Sequence, residues 1–97
     1  MLRLQSESNP AEVRTARSLV HSVISRKEKS FDKLTGREAD VCERILVGFT
    51  STGISLDLDI AESSVNTYRR RAYEKLNIAT QNELFSLCIS ALDMIKR

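Results

Sequence analysis

Apolar residues along this chain recur three and four positions apart, and glycine and proline interrupt the pattern only rarely. This spacing is the period of an α-helix with one buried face, so it predicts a chain that is helical almost throughout. Residues 1–9 are a polar lead. Pro10, with Asn9 before it as a cap, suits a first helical turn and predicts a helix over 10–29. Its apolar stripe is Val13, Ala16, Val20, Val23 and Ile24.

The stripe of this first helix has two explanations, and the pattern leaves both open. Its first four members follow the three-four-three step of a coiled-coil seam, but two heptads are too few to establish one. The helix therefore packs against its own domain or pairs with the same helix of a second chain. The polar and basic stretch 26–33 is predicted to be a linker. We divide the chain into an N-terminal helix and linker, residues 1–33, and a domain over residues 34–97.

Two segments carry the Thr-x-x-Glu pattern of a capping box, in which a hydroxyl and a carboxylate satisfy backbone N–H groups at the start of a helix. They run from Thr35 to Glu38 and from Thr80 to Glu83. The second starts the final amphipathic helix, and Gly48 is placed to stop the helix that the first begins. The buried face of that earlier helix is predicted to be Val41, Cys42, Ile45, Leu46 and Phe49.

Residues 54–60 alternate apolar and polar side chains, which is typical of a β-strand. A single short strand among helices would leave its backbone N–H and C=O groups without partners, whereas a short helix satisfies its own. We therefore predict a short helix that buries Ile54 and Leu58. A further helix is predicted over residues 62–76, ending at Asn77. Its apolar positions are Val65, Tyr68, Ala72, Tyr73 and Leu76.

Length and charge narrow the class of protein. With 97 residues, 41% of them hydrophobic and 29% charged, the chain suits one small folded domain. It has neither the roughly 20 consecutive apolar residues of a membrane-spanning helix nor the apolar block of a signal peptide at its start, so we expect no membrane contact and a cytoplasmic location. The net charge of +2 is weak evidence for a nucleic-acid partner. However, Arg69, Arg70, Arg71 and Lys75 concentrate positive charge on one predicted helix.

Residues that usually carry catalysis or bind metals are sparse. Cys42 and Cys88 stand apart and His21 is the only histidine, so the spacing predicts reduced core thiols and no zinc site. No Ser, His and Asp set or phosphate-binding glycine loop is present. The pair Asp57 and Asp59 is better explained by solvation than by acid-base catalysis. The sequence therefore predicts neither an enzyme nor a bound cofactor.

Several motifs at fixed mutual distances resemble the C-terminal output domain of LuxR-type transcription regulators. Residues 34–38, Leu-Thr-Gly-Arg-Glu, are similar to that family's L-T-x-R-E opening, and Gly48 falls where the family keeps a glycine. Ile54 and residues 58–60 resemble its I-A-x-x-L-x-I segment. Residues 64–78 resemble its recognition helix, and the register holds from residue 34 to residue 78 without a gap.

The chain departs from the family's usual pattern at four positions. Gly53 replaces a common Glu, so the short helix loses half of a capping box. Ala61 replaces the usual Ser cap of the recognition helix and supplies no hydroxyl acceptor. Asn66 stands in place of a common Lys, and Tyr68 in place of a common His. These changes bear on stability and on DNA sequence preference rather than on the fold.

The resemblance implies an all-α fold, a four-helix LuxR-type helix-turn-helix domain preceded by an amphipathic N-terminal helix. In such domains the recognition helix, here near residues 62–76, lies in the major groove of double-stranded DNA. Carried over by position, the resemblance makes Asn66, Thr67 and Arg70 the expected base contacts. The expected phosphate contacts are Ser64, Arg69, Arg71 and Lys75, joined by Thr50, Ser51 and Thr52 at the start of the preceding helix.

The family's output domains act as dimers on paired half-sites, so a homodimer is expected. The resemblance implies that the last helix supplies much of the contact, although the sequence does not divide its apolar residues between core and interface. Residues 1–33 are too short for a sensor domain, so we expect an excised output domain in preference to a stand-alone regulator. The expected dimer contacts are Leu84, Leu87, Cys88, Ala91 and Leu92.

Two alternative functions keep the same fold. One is a protein-interaction module, an anti-activator or adaptor that binds a partner protein instead of DNA. The other is a sigma-factor-like promoter-recognition fragment, whose partner would be RNA polymerase. Salt-dependent binding to duplex DNA separates the first alternative from the main interpretation, because an interaction module would show none.

Overall fold

The structure is a computed structural model that describes the backbone of residues 10–96 and the side chains of residues 17–93. Over this part of the chain it consists of helices joined by short turns, which confirms the predicted all-α fold. The elements are α1 (Pro10–Ser25), a 3₁₀ helix (Lys29–Lys33), α2 (Gly36–Leu46), α3 (Ser51–Leu58), α4 (Glu62–Leu76) and α5 (Gln81–Lys96).

Both predicted capping boxes are present at helix starts. Ahead of α2, the Thr35 hydroxyl accepts the Glu38 N–H at 3.3 Å, and the Glu38 carboxylate accepts the Thr35 N–H at 2.9 Å. Ahead of α5, Thr80 and Glu83 exchange the same two bonds at 3.2 and 3.0 Å. Each box satisfies backbone donors that a helix start otherwise leaves to solvent.

The first four α-helices end through left-handed residues, and only one of these is glycine. Gly48 has a φ of 100°, and Phe49 after it donates its N–H back to Arg44 at 2.9 Å, which terminates α2 as predicted. Asn77 ends α4 with a φ of 58°. Lys27, with a φ of 57°, turns the chain after α1, which therefore stops at Ser25 instead of continuing to residue 29.

Residues 51–58 form the short helix α3, so the strand-like alternation does not correspond to a strand. Ile54 is 1% exposed and Leu58 is half-buried, as predicted for a helix. Leu56, the apolar residue between them, is 77% exposed. The alternation misleads because one of its apolar residues faces solvent.

The segment predicted to be a linker contributes one residue to the core. Phe31 is 1% exposed in the 3₁₀ helix, and Leu34 follows it into the interior. The buried ring of Phe31 therefore anchors the predicted linker to the domain. The buried apolar core is Val20, Val23, Ile24, Phe31, Leu34, Val41, Cys42, Ile45, Leu46, Ile54, Val65, Ala72, Leu76, Leu84, Cys88 and Ala91.

Helix α1 packs on its own chain. Val20 and Val23 are buried in the common core, and His21 Nδ1 lies 3.3 Å from a carboxylate oxygen of Glu43 on α2. The guanidinium of Arg17 lies over the Phe49 ring, 5.5 Å from its centroid. The described part of the stripe therefore faces the domain and not a second chain. The side chains of residues 13 and 16 lie outside the described residues.

Both cysteines are free and buried, as expected of core thiols. Burial and the nearby Glu38 carboxylate raise the pKa of Cys42 to about 12, so this thiol stays protonated at neutral pH. Across residues 10–96, no helix is both long and apolar enough to cross a membrane. Among the side chains of residues 17–93, no three His, Cys, Asp or Glu residues are grouped so as to hold a metal ion.

Candidate nucleic-acid interface

Helices α3 and α4 are joined by a three-residue turn, residues 59–61, which is the tight connection of a helix-turn-helix. Ala61 has extended cap geometry, with a φ of −70° and a ψ of 151°, but its side chain makes no capping hydrogen bond. Its carbonyl accepts the N–H groups of Ser64 and Val65 at 3.0 and 3.1 Å. The helix therefore starts where predicted, and the side-chain cap is missing as the sequence indicated.

Helix α4 has a buried face and an exposed face. Val65, Ala72 and Leu76 are at most 5% exposed and face the core. The helical period places a second row of residues on the opposite side, spaced four, three and four positions apart. We call this row the α4 ridge; it consists of Ser63, Thr67, Arg70 and Glu74, with Asn66 and Arg71 exposed beside it.

The three consecutive arginines of α4, unlike Lys75, have no partner among the residues whose side chains are described. Among the residues whose side chains are described, Asn66, Arg69, Arg70 and Arg71 make no side-chain hydrogen bond or ion pair. This contrasts with the arginines of α1 and α2 whose side chains are described. Arg17 lies over the Phe49 ring, Arg37 pairs with Asp40, and Arg44 pairs with Asp57.

The α4 ridge stands between two hollows. The larger has a volume of about 690 Å³, and its lining includes Asn66, Arg70 and Glu74 from α4 and Gln81 from the start of α5. The smaller, about 160 Å³, lies along the other flank and is lined in part by Thr67 and Arg71. The α4 ridge is therefore flanked by open space on both sides.

Hydrogen bonds cap the start of α3 and also link it to α4. The Thr50 hydroxyl accepts the Gly53 N–H at 3.0 Å, which is the half of a capping box that remains without a glutamate at position 53. The Thr52 hydroxyl donates to the Glu62 carboxylate at 2.9 Å and so joins the two helices. In this turn, the N–H groups of Ser51 and Thr52 are left for an external acceptor.

Lys75 has an internal partner that the sequence prediction of a phosphate contact did not anticipate. Its Nζ lies 2.7 Å from a carboxylate oxygen of Glu38, which is 3% exposed. Burial alone raises the pKa of Glu38. The hydrogen bonds from Lys75 and Thr35 and the lysine charge more than offset this effect, so the pKa lies below its usual 4.5. The pair ties the last turn of α4 to the capping box of α2.

The structure divides the apolar residues of α5 that were expected at a dimer interface. Leu84, Cys88 and Ala91 are at most 4% exposed, so they belong to the core and have no surface for a second chain. Leu87 and Leu92 are half-buried. Ile89, which the sequence interpretation left out, is 65% exposed.

Two surface residues could have been found from spacing alone. Glu74 continues the four-three-four spacing of the α4 ridge. Ile89 completes a second apolar row on α5 with Phe85 and Leu92, four and three positions away. Ile89 lies outside the motifs described above, and Glu74 lies within the recognition-helix resemblance at a position to which the sequence analysis gave no role.

Known proteins match much of the chain. An HTH-type transcriptional regulator described from the exeN 3′ region of Aeromonas salmonicida is 36% identical over 61 residues, covering 63% of this chain and 31% of that protein. The response regulator protein TmoT of Ectopseudomonas mendocina is 29% identical over 73 residues, covering 75% and 33%. The HTH-type transcriptional regulator MalT of Vibrio cholerae is 42% identical over 50 residues, covering 52% and 6%.

Each of these matches covers only part of the relative's length. The chain spans about a third of the length of the first two relatives and a small fraction of the third. No solved structure gives a significant match. Residues 32–88, more than half of the chain, match the family described as bacterial regulatory proteins, luxR family. That segment contains α2, α3, α4 and the connecting turns of the candidate interface. The chain therefore belongs to the luxR family of bacterial regulatory proteins.

Proposed function

We propose that this chain binds double-stranded DNA sequence-specifically through α4 and thereby regulates bacterial transcription. The observation that carries the proposal is that Asn66 and Arg70, on the exposed face of α4, have no side-chain partner among the described residues. Membership of the luxR family and relatives named as transcriptional regulators support it. DNA as the partner places the protein in the cytoplasm of a bacterium.

Three side chains have the chemistry to contact bases. Asn66 matches the donor and acceptor of adenine, and Arg70 matches the two acceptors of guanine. The Thr67 hydroxyl donates to the Ser63 carbonyl at 3.0 Å, which leaves the Thr67 methyl group available for the methyl of thymine. Asn66 and Arg70 are four residues apart on one face of the helix, so they can reach neighbouring base pairs.

Other residues of the helix pair are suited to the phosphate backbone. Arg69 and Arg71 lie on the two flanks of α4, and Ser64 lines the smaller hollow. The start of α3 adds backbone N–H groups at the positive end of a helix dipole. Such contacts fix the position of a protein on the duplex without reading its sequence. The proposed backbone contacts are Ser64, Arg69, Arg71, Thr50, Ser51 and Thr52.

We propose further that two copies bind paired half-sites and meet through α5. The surface available for this contact is the exposed Ile89 with the half-buried Phe85 and Leu92 next to it on one row. Leu87 lies on a different side of α5 from this row and is not part of it. A twofold pair of α5 helices would repeat the α4 ridge on the DNA, as half-sites one helical turn apart require.

The test is a set of binding titrations on a selected duplex and a scrambled duplex at several salt concentrations. Asn66→Ala and Arg70→Ala should each weaken binding to the selected site by about 1–3 kcal/mol and relax discrimination there. Arg26→Ala is the matched control, because Arg26 is exposed but lies outside the helix pair. It should change binding to both duplexes only slightly.

One alternative is decided by the same experiment. Lys75 is engaged by Glu38, and the exposed acids Glu62 and Glu74 lower the positive charge of α4. These features suit a protein-interaction module that keeps the fold. If wild-type protein of confirmed dimeric state binds no duplex even at low salt, the DNA-binding proposal fails and the interaction module replaces it.

A further inference from the structure

Glu74 occupies a position on the proposed DNA-facing surface where a carboxylate is unfavourable unless it has a partner. It belongs to the α4 ridge, one turn after Arg70, and its side chain is exposed. Within the described residues its carboxylate makes no hydrogen bond or ion pair. A free negative charge facing a polyanion is repelled by the phosphates, so a ridge that only neutralised phosphates would not carry it.

The neighbours of Glu74 are the residues proposed to contact bases. It lines the larger hollow, about 690 Å³, together with Asn66, Arg70 and Gln81. Arg70 and Glu74 are four residues apart, but they are not within ion-pair distance in the structure. Arginine followed by glutamate is the weaker order for such a pair on a helix. Both side chains are therefore available to bind an external group.

The major-groove edges of the bases offer a carboxylate one suitable partner. Cytosine presents an amino donor, whereas guanine presents two acceptors and thymine presents an acceptor and a methyl group. Adenine has an amino donor beside an acceptor nitrogen, which repels a carboxylate. Four residues along a helix correspond to about 6 Å, or roughly two base-pair rises of 3.4 Å.

We propose that Glu74 is a specificity-determining residue that accepts a hydrogen bond from the N4 amino group of a cytosine about two base pairs from the guanine bound by Arg70. This inference rests on the proposed DNA-binding function and extends it. At that cytosine the carboxylate is compensated. At any other base it is left unpaired near phosphates, so Glu74 lowers affinity for incorrect sequences more than for the correct one.

The test uses Glu74→Gln and Glu74→Ala with selection of bound sequences from a randomised duplex pool, followed by titrations on single sites. Wild type should select cytosine at one position, with about 5- to 150-fold weaker binding when that base is changed. Glu74→Gln should shift the preference toward adenine, because an amide matches its donor and acceptor. Glu74→Ala should lose the preference and bind scrambled duplex more tightly than wild type.

Asp32→Asn is the matched control for charge, since it removes one exposed carboxylate outside α3 and α4. It should leave the selected sequence unchanged. If both Glu74 variants select the wild-type sequence and keep its discrimination ratio, the inference is overturned while DNA binding stands. If wild type binds no duplex, the proposed function and this inference fall together.

Discussion

The start of α4 depends on Ala61, a residue whose backbone has the geometry of a helix cap and whose side chain cannot act as one. A serine hydroxyl at this position would accept an early N–H of α4. Ala61→Ser should therefore raise the free energy of unfolding by about 0.5–1 kcal/mol, measured by urea denaturation. Ala79→Ser introduces the same hydroxyl between helices, where Glu83 already accepts the Ala79 N–H, and should change little. An unchanged or lower midpoint for Ala61→Ser would contradict the assigned cap.

The observed ion pair between Lys75 and Glu38 leads to a second prediction about a single residue. Lys75→Met would leave a carboxylate that is 3% exposed without its cationic partner. We expect a loss of about 1–3 kcal/mol in the free energy of unfolding, because a buried group that loses its partner keeps its desolvation penalty. Lys33→Met is the control, since Lys33 is exposed and no ion pair involving it is among the described contacts. Equal effects of the two substitutions would argue against a structural role for the pair.

The same pair makes a prediction about pH. The pKa of Glu38 in the folded chain lies below its usual 4.5, so the ionised carboxylate stabilises the fold. This contribution is fully present above pH 4.5 and is lost as the pH falls through the folded-state pKa. The stability difference between wild type and Glu38→Gln should therefore shrink in acid below pH 4.5. A difference that stays constant from neutral pH into that range would show that ionisation of Glu38 does not matter.

Among the helices, α1 could stabilise its own domain or hold two chains together, and substitutions in it separate these roles. Val23 is fully buried and Leu19, on the same helix, is 41% exposed. Val23→Ala should lower the free energy of unfolding by about 1–3 kcal/mol through lost burial and a residual cavity. Leu19→Ala should have a smaller effect. Self-association, measured by sedimentation, should be the same for both variants and wild type. Weaker association with unchanged stability in Val23→Ala would support the alternative in which α1 pairs with the same helix of a second chain.

The elements whose limits could be predicted are those with local chemical signals. Thr35 and Thr80 mark helix starts because their hydroxyls and the following glutamates act within a single turn. Asn77 marks the end of α4 in the same local way. Phe31 gave no such signal, since its burial depends on surfaces distant in sequence. The end of α1 was missed for a similar reason, because lysine is not a residue that usually takes the left-handed conformation of Lys27.

The candidate interface shows the same division at the level of the whole molecule. That Asn66 and Arg70 share a face follows from helical spacing, and the structure leaves both exposed. The engagement of Lys75 by Glu38 joins residues 37 positions apart, which no local pattern encodes. The division of α5 between core and surface likewise depends on where α1 packs against it. Spacing along one helix is thus predictable from sequence, and pairing between helices is not.

Assembly is the remaining property of the whole molecule, and Ile89 is the residue that tests it. It is 65% exposed and lies on α5 in line with Phe85 and Leu92, outside the core that Leu84, Cys88 and Ala91 of the same helix join. Burying most of an isoleucine side chain against a second copy contributes about 1–2 kcal/mol at each site, and a symmetric contact has two such sites. Ile89→Ser should therefore weaken self-association at least about tenfold, measured by sedimentation at several protein concentrations.

The matched control is Leu56→Ser, which removes a still more exposed apolar side chain. Leu56 lies on α3, which precedes the helix-turn-helix connection in the chain, whereas α5 follows it. Its self-association should match that of wild type. Both residues lie outside the core, so neither change should lower the free energy of unfolding by more than about 0.5 kcal/mol. If Ile89→Ser associates as strongly as Leu56→Ser, the two copies do not meet through α5. If both variants weaken association alike, the contact spreads over general apolar surface and is not the specific α5 row. A loss confined to Ile89→Ser, accompanied by weaker binding to paired half-sites but not to a single half-site, would place the twofold axis at α5.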